Sequence, residues 1–185
     1  VLNYLTQNAI WWIEYADLDG LRVDTYSYND KEGIAKWTKA IMDEYPHFNI
    51  MGEVWLNQSA QVSYWQKDSP ISAIQSYNTY LPTVMDFPLF NAIGEAFRVT
   101  PSWDKGMIQL YDNLANDFLY KDINNLLIFA ENHDTARLNH VYPKIADYKL
   151  IISMLATARG IPQLYYGSEI GMAGDKSKGD GHIRQ

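Results

Sequence analysis

Strand and helix patterns alternate along the chain, and this alternation restricts the fold more than any other feature. Apolar residues recur every three or four positions from Leu2 to Ala16, which predicts a helix with one buried stripe. A short strand pattern follows at Leu21 to Thr25, and helix and strand patterns then continue in turn. Such alternation predicts parallel strands joined by crossover helices. The later strands are expected at Phe48–Trp55, Val84–Phe87, Asn125–Ala130 and Ile161–Gly167, and the later helices at Lys31–Tyr45, Met107–Phe118 and Leu150–Ala158.

Two architectures are built from this alternation: a doubly wound open sheet and a (β/α)8 barrel of the TIM type. The sequence contains no G-x-G-x-x-G turn and no P-loop, which a nucleotide-binding open sheet would be expected to carry. Four of the five predicted strands end in an acidic residue, namely Asp24, Glu53, Asp86 and Asp134. Functional side chains at the C-terminal ends of several strands are typical of barrel enzymes. The predicted fold is therefore α/β, and specifically a (β/α)8 barrel.

The number of strands is too small for a complete barrel. Five strands are predicted within 185 residues, whereas a barrel needs eight strands in about 250 residues. We therefore expect residues 1–185 to be the C-terminal portion of a larger catalytic domain, truncated at both ends. The open flank of such a piece would expose apolar surface and unpaired strand edges, so self-association through this flank is expected as well.

Charge and composition argue against several classes of partner. The chain has a formal net charge of -7 and a pI of about 5.0, and it contains no run of consecutive Lys or Arg residues. This balance argues against a nucleic-acid surface or an anionic membrane as the main partner. There are no cysteines, which rules out disulfides, thiolate zinc sites and a cysteine nucleophile. No apolar run approaches the roughly 20 residues that span a bilayer. A neutral ligand fits this composition best.

Two predicted strands end in carboxylates with different surroundings. Arg22 and Asp24 lie two residues apart in one strand and so face the same side, where the guanidinium would favour the ionised carboxylate. Glu53 precedes Val54 and Trp55, so its carboxyl is expected among apolar neighbours that favour the protonated form. A pair of unlike carboxylates is what glycoside hydrolysis requires. The structural alternatives are an ion pair between Arg22 and Asp24, and a surface glutamate at position 53 that caps a turn.

A third cluster, FAENHDTAR, places His133 and Asp134 after another predicted strand. An Asn-His-Asp cluster also occurs in metal-dependent phosphoesterases, but this chain has four histidines without H-x-H or H-x-x-x-H spacing, too few ligands for a di-metal site. Ser-His-Asp catalysis lacks its G-x-S-x-G elbow. A core histidine bound by backbone groups is the structural alternative for His133. Aromatic side chains near strand ends and loops, including Tyr28 and Trp55, would suit stacking on sugar rings.

Taken together, these stretches resemble the alpha-amylase superfamily, glycoside hydrolase family 13. GLRVDTYSY is similar to the family's fourth-strand motif G-F-R-x-D, GEVW to its fifth-strand motif, FAENHDTAR to its seventh-strand H-D motif, and GIPQLYYGSEIGM to its eighth-strand segment. The four motifs occur in the family's order and extend from Gly20 to Met172. The resemblance implies that the chain contains strands four to eight of the family's barrel.

The resemblance also implies roles for individual residues. Asp24 takes the place of the nucleophile, Glu53 that of the general acid/base, and Asp134 that of a third carboxylate that binds ring hydroxyls and helps to distort the sugar. The implied reaction is retaining hydrolysis of an alpha-glucan by double displacement, with the two carboxyl groups of the first pair about 5 to 5.5 Å apart. The expected substrate-binding or supporting residues are Arg22, Tyr28, Trp55, His133 and Arg137.

Departures from the family's pattern refine this expectation. Tyr28 stands where members that bind a structural calcium often carry His, so these residues do not support a calcium ion, and the chemistry requires no cofactor. The terminal GDGHIRQ resembles the start of a loop in neopullulanase- and cyclomaltodextrinase-like members. By analogy with enzymes that act on polymeric glucans, an extracytoplasmic location is expected. The alternatives are a non-catalytic carbohydrate-binding barrel and a catalytically inactive fragment.

Overall fold

The computed structural model describes all residues from Val1 to Gln185 and contains one sheet of five short strands. The strands are β1 (Gly20–Val23), β2 (Asn49–Gly52), β3 (Thr83–Met85), β4 (Leu126–Ile128) and β5 (Ile161–Pro162). They occur in the sheet in sequence order, and the pairs β1–β2, β2–β3 and β3–β4 are parallel. At least one α-helix lies between each pair of consecutive strands in the chain. The predicted α/β fold with a parallel sheet is therefore confirmed.

Eight α-helices accompany the strands. They are α1 (Leu2–Ala16), α2 (Lys31–Glu44), α3 (Ser59–Ser63), α4 (Pro70–Ala73), α5 (Phe87–Arg98), α6 (Ile108–Leu114), α7 (Leu138–Val141) and α8 (Ile145–Thr157). The first two agree with the predicted helices, and Asp30 caps α2 by accepting the Gly33 N–H at 2.7 Å. The sequence pattern does not predict α5. The helix predicted to continue to Phe118 ends at Leu114, because Phe118 belongs to a separate 3-10 turn.

The chain folds as two compact units, of which the first comprises Val1–Phe87 and Asn116–Leu127. Gly52, the last residue of β2, allows a close approach in this unit, because a Cβ there would lie 2.5 Å from a leucine side chain. The backbone of Glu53 continues the pairing by donating its N–H to the carbonyl of Val23 at 2.9 Å. The chain after β2 thus runs alongside the end of β1. Fully buried side chains form the core, among them Tyr26, Ile41, Ile50, Leu81 and Val84.

The second unit comprises Pro88–Ala115 and Ile128–Gln185. Its backbone pairing includes a hydrogen bond from the Gln163 N–H, just after β5, to the carbonyl of Ile128 at 2.8 Å. The rings of Phe90 and Phe129 stack with centroids 5.2 Å apart. The apolar core is completed by buried side chains of α5 and α8, among them Leu89, Ile93, Ile151 and Leu155.

An open groove of about 710 Å³ lies between α1, β1 and α2 within the first unit. Apolar side chains supply much of its lining, including Leu2, Leu5, Trp12, Leu21 and Trp37. The groove runs beside β1, which is the first strand of the sheet and therefore an edge strand. Self-association through such a flank stays a prediction. None of the helices combines the length and the apolar character needed to cross a bilayer.

Candidate active site

In the first unit, Arg22 holds two carboxylates at the ends of neighbouring strands. Its Nη1 donates to Asp24 Oδ1, and its Nη2 donates to Glu53 Oε1 at 3.0 Å. The contact between Arg22 and Asp24, predicted from their spacing of two, is confirmed. The contact with Glu53 depends on the parallel pairing of β1 with β2, which spacing along one strand does not reveal. One guanidinium therefore contacts both carboxylates that the sequence suggests for catalysis.

These two carboxylates differ in exposure and in their partners. The Asp24 side chain is 62% exposed, whereas that of Glu53 is 4% exposed. Glu53 Oε2 also accepts the backbone N–H of Thr25 at 2.8 Å. The expectation that the Glu53 carboxyl stands among apolar neighbours is wrong in this respect, because a guanidinium and an amide bind its two oxygens. Thr25 itself adopts a left-handed conformation with φ of 48°, which is uncommon for a β-branched residue.

Two aromatic residues predicted to bind sugar belong to the same unit. The Trp55 ring stacks on Phe87 with centroids 4.7 Å apart and an interplanar angle of 17°, and Trp55 is 40% exposed. Tyr28 ends a 3-10 turn over Tyr26–Tyr28 and is 74% exposed. Both rings therefore present surface to solvent, which stacking on a sugar requires. Their role in binding stays a prediction.

In the second unit, the turn after β4 carries His133 and Asp134. Asn132 Oδ1 accepts the Asp134 N–H at 2.8 Å, and His133 Nε2 lies 3.0 Å from Asp134 Oδ2. Arg184 donates through Nη2 to Asp134 Oδ1 at 2.7 Å and through Nε to the carbonyl of His133 at 2.8 Å. His133 is thus paired with a carboxylate, which contradicts the alternative of a core histidine bound by backbone alone. Arg184 is not among the residues predicted from the sequence, although it lies in the GDGHIRQ segment, whose resemblance to a family loop is the signal that could reveal it.

The segment that contains Arg184 is itself held by ion pairs. Lys176 Nζ lies 2.5 Å from Asp180 Oδ1 and 3.7 Å from Asp134 Oδ1, and Arg184 Nη2 lies 3.0 Å from Asp180 Oδ2. The Lys176 hydrogen bond, with the nearby Arg184 charge, lowers the pKa of Asp180. These contacts surround Asp134 with cationic groups. No group of three or more His, Asp or Glu side chains is arranged to hold a metal ion.

Arg137, predicted to have a supporting role in substrate binding, is buried. Its side chain has no exposed surface, and Nε donates to Glu131 Oε2 at 2.8 Å. Nη2 donates to the carbonyl of Tyr166 at 2.5 Å, and Nη1 donates to that of Ile183 at 3.3 Å. With these partners and no exposed surface, Arg137 has no face for direct contact with a sugar, and its predicted supporting role in substrate binding stays a prediction. Glu131, to which the sequence analysis gave no role, is its charged partner.

The sequence matches known amylases along its whole length. The family model described as "Alpha amylase, catalytic domain" matches residues 1–184. A beta/alpha-amylase of Paenibacillus polymyxa is 28% identical over 180 residues, which cover 93% of this chain and 13% of that protein. A cyclomaltodextrinase of Thermoanaerobacter pseudethanolicus is 32% identical over 179 residues, which cover 95% of this chain and 28% of that protein. The chain therefore spans less than a third of the length of each of these two curated relatives.

Solved structures of amylases resemble the fold. An Anoxybacillus alpha-amylase aligns with a TM-score of 0.80 and 26% identity, covering 97% of this chain and 38% of that one. An alpha-amylase of Geobacillus thermoleovorans, solved in complex with acarbose, aligns with a TM-score of 0.77 and 30% identity, covering 94% of this chain and 37% of that one. Both similarities extend over nearly all of the residues described above.

Proposed function

The chain belongs to the alpha-amylase catalytic-domain family, and we propose that it supplies strands four to eight of a (β/α)8 barrel in a glycoside hydrolase. The proposed reaction is cleavage of alpha-glucosidic bonds in starch-like glucans. The parallel sheet with its strands in sequence order supports the barrel. The names of the relatives, alpha-amylase and cyclomaltodextrinase, support the substrate class.

The observation that carries this proposal is the shared guanidinium of Arg22. It contacts Asp24, which is open to solvent, and Glu53, which is nearly buried. A cation that touches both carboxylates keeps them close together. Retaining glycosidases require this, because their two catalytic carboxyl groups lie about 5 to 5.5 Å apart. We assign Asp24 as the nucleophile, because its exposed carboxylate can reach a bound sugar. Glu53 is assigned as the general acid/base.

The proposed mechanism is a double displacement. In the first step Asp24 attacks the anomeric carbon, and Glu53 gives its proton to the leaving glycosidic oxygen. The resulting ester at Asp24 carries no charge, so Arg22 then has Glu53 as its remaining anionic partner. Glu53, which gave up its proton in the first step, removes a proton from water in the second. Water attacks the anomeric carbon as Glu53 takes its proton, the bond from that carbon to the Asp24 oxygen breaks, and the product has the original anomeric configuration.

Asp134 is proposed as the third carboxylate, with His133 as its neighbouring hydrogen-bonding group. Both oxygens of Asp134 have polar partners, Arg184 on one and His133 on the other. These contacts fix the direction of the carboxylate, which supports a role in binding ring hydroxyls. Trp55 and Tyr28 are proposed as stacking surfaces for glucose rings because these aromatic residues are 40% and 74% exposed.

The test is an assay of the natural full-length protein on starch, pullulan and cyclodextrins, together with Asp24→Asn and Glu53→Gln. Glu53→Gln is expected to lower kcat by about 10²- to 10⁴-fold, the usual contribution of a positioned acid or base. Asp24→Asn is expected to lower kcat by at least as much, because it removes the nucleophile that forms the covalent intermediate. Asp43→Asn on α2 is the matched control, because the Asp43 carboxylate lies on the surface and its ion pair is with Lys39. Wild-type rates in both variants would overturn the catalytic assignment.

The stereochemistry of the first product separates the proposed mechanism from inversion. NMR recorded during the first minutes of hydrolysis is expected to show the alpha anomer before mutarotation. Early beta anomer would contradict the assignment of Asp24 as nucleophile. A protein that binds maltooligosaccharides without hydrolysing any of the three substrates would instead favour the non-catalytic carbohydrate-binding alternative.

A further inference from the structure

The turn that carries His133 and Asp134 is closed at its base by a buried ion pair. Glu131 precedes these residues and Arg137 follows them, and their side chains are 5% and 0% exposed. Glu131 Oε2 accepts from Arg137 Nε at 2.8 Å and from the Leu138 N–H at 2.6 Å. One carboxylate oxygen thus binds both a side chain and a backbone amide on the far side of the turn. Its two ends cannot separate without breaking a desolvated pair.

Arg137 connects this base to the chain that follows β5. Its guanidinium donates to the carbonyls of Tyr166 and Ile183, and its backbone N–H donates to the carbonyl of Gly174 at 2.9 Å. The guanidinium carbon also lies 4.5 Å from the centre of the Tyr165 ring. Three separate positions in the segment 166–183 are therefore tied to one residue. Arg184, which binds Asp134, directly follows the last of them.

The second oxygen of Glu131 is also bound. Ser168 Oγ donates to Glu131 Oε1, and the carbonyl of Ser168 accepts from the Tyr148 hydroxyl at 2.6 Å. Burial and then the Glu131 carboxylate are the two largest causes of a raised Tyr148 pKa, which keeps this phenol neutral. Glu131 is thus fixed from the α8 side as well as from Arg137.

We infer that Glu131 and Arg137 are positioning residues for Asp134 and His133. Neither has surface for a sugar, but together they fix the ends of the turn that aims the Asp134 carboxylate. The same guanidinium fixes the segment from which Arg184 reaches that carboxylate. This inference rests on the proposed function. Displacement of a binding or catalytic group by about 1 Å can lower the rate about 10²-fold. Small changes in the Glu131–Arg137 pair are therefore expected to lower kcat.

The test compares Arg137→Lys and Ser168→Ala in the natural full-length protein. Arg137→Lys keeps the positive charge but loses the planar guanidinium with its several N–H donors. Ser168→Ala removes the hydroxyl that donates to Glu131. At temperatures where both variants are fully folded, kcat on maltoheptaose is expected to fall by about 10- to 100-fold for Arg137→Lys. Ser168→Ala is expected to lower kcat by a smaller factor in the same direction. Circular dichroism establishes that each variant is folded under the assay conditions.

A role in stability alone would give a different result. Gln66→Met is the control, because Gln66 is a buried side chain that links loops in the first unit, with Nε2 donating to the carbonyl of Asp122 at 2.7 Å. It is expected to lower the unfolding temperature without changing kcat. Folded Arg137→Lys or Ser168→Ala protein with wild-type kcat and KM would overturn the inference. If the lysine variant does not fold, the alanine variant decides by the same criterion.

The outcomes also separate this inference from the proposed function. A wild-type protein without activity on any glucan, or a Glu53→Gln variant with full activity, would remove the proposed function itself. An active wild type and an inactive Glu53→Gln, with Ser168→Ala and Arg137→Lys both at wild-type rates, would remove only the positioning role. Isothermal titration of maltoheptaose in the Glu53→Gln background adds a measurement without turnover. Weaker binding after Arg137→Lys is expected there.

Discussion

Arg22 and Arg137 are both paired with a glutamate that follows a strand, yet their surroundings differ. Arg22 has a side chain that is 30% exposed and that touches two carboxylates, one of them open to water. Arg137 is fully buried, touches one carboxylate and places its other donors on backbone carbonyls. This difference cannot be predicted from local sequence, because each arginine lies within a few residues of an aspartate and the two local patterns look alike.

The difference shows what each environment allows. Around Arg22, one of the two acids can lose its charge, and the guanidinium still has a partner. Around Arg137, every partner is fixed by the fold and no water can replace a lost contact. A partly exposed arginine between two acids therefore suits a reaction in which one acid changes its charge. A buried arginine that donates to backbone carbonyls suits the stabilisation of loop conformations.

The largest expected effect separates the two arginines by stability. Arg137→Met should lower the free energy of unfolding by about 3–5 kcal/mol, because the Glu131 carboxylate stays buried without its charge partner. Arg22→Met should cost about 1–2 kcal/mol, because the Arg22 side chain is 30% exposed and water can take the place of its guanidinium beside Asp24 and Glu53. Urea unfolding followed by circular dichroism measures both. Equal losses in the two variants would break the comparison.

The next effect concerns activity and acts on the other arginine. Arg22→Lys should lower kcat/KM by about 10- to 100-fold, equivalent to about 1.4–2.7 kcal/mol. The reason is that lysine has one ammonium nitrogen, whereas the arginine uses two separate nitrogens to donate to the two carboxylates. Steady-state kinetics on maltoheptaose check this. Arg98→Lys is the matched control, since Arg98 is an exposed residue that donates through Nε to the Gly94 carbonyl in α5. Similar losses in both variants would show that the shared guanidinium is not what matters.

Much of the fold follows from periodicity, and the exceptions have local causes. The apolar stripe predicts the bounds of α1 exactly as observed, and the strand patterns locate β1 to β5, although each strand is shorter than predicted. Helix α5 escapes prediction because Pro88 near its start and Gly94 within it are weak helix formers. Proline is tolerated in a first helical turn, where its missing N–H would have no partner. Burial of Leu89 and Ile93 then stabilises the helix.

Less of the candidate site could be predicted, because its contacts join distant parts of the chain. The pair Arg22 and Asp24 follows from a period of two within one strand. The contact of Arg22 with Glu53 requires the register between strands, which a single sequence does not specify. The burial of Arg137 is harder still, since its motif NHDTAR is polar and the carbonyls that bind it come from residues 166 and 183.

A smaller effect tests whether charge, rather than burial alone, distinguishes the Arg137 pair. Gln66 makes a neutral version of the same kind of link, with Nε2 donating to the Asp122 carbonyl and Oε1 accepting the Asp122 N–H at 3.0 Å. Gln66→Met should cost about 1–2 kcal/mol in unfolding free energy, since it removes the Gln66 partner of one backbone donor and two backbone acceptors but leaves no unpaired charge. Urea unfolding measures this. A loss as large as that of Arg137→Met would show that burial of any polar link sets the scale.

The smallest expected effect tests whether the region without water around Arg137 extends to Tyr148. Tyr148→Phe removes one hydrogen bond to the Ser168 carbonyl and should cost about 0.5–1.5 kcal/mol at neutral pH. Burial, followed by the Glu131 charge, raises the Tyr148 pKa. A raised pKa means that this contribution is complete below the unfolded value of about 10 and is lost as pH rises through the folded value. The stability difference between wild type and Tyr148→Phe should therefore shrink above about pH 10. Unfolding curves at pH 7, 9 and 10.5 measure it, and a difference that stays constant with pH would mean that the phenol ionises alike in the folded and unfolded chains, as it would if it were hydrated in both.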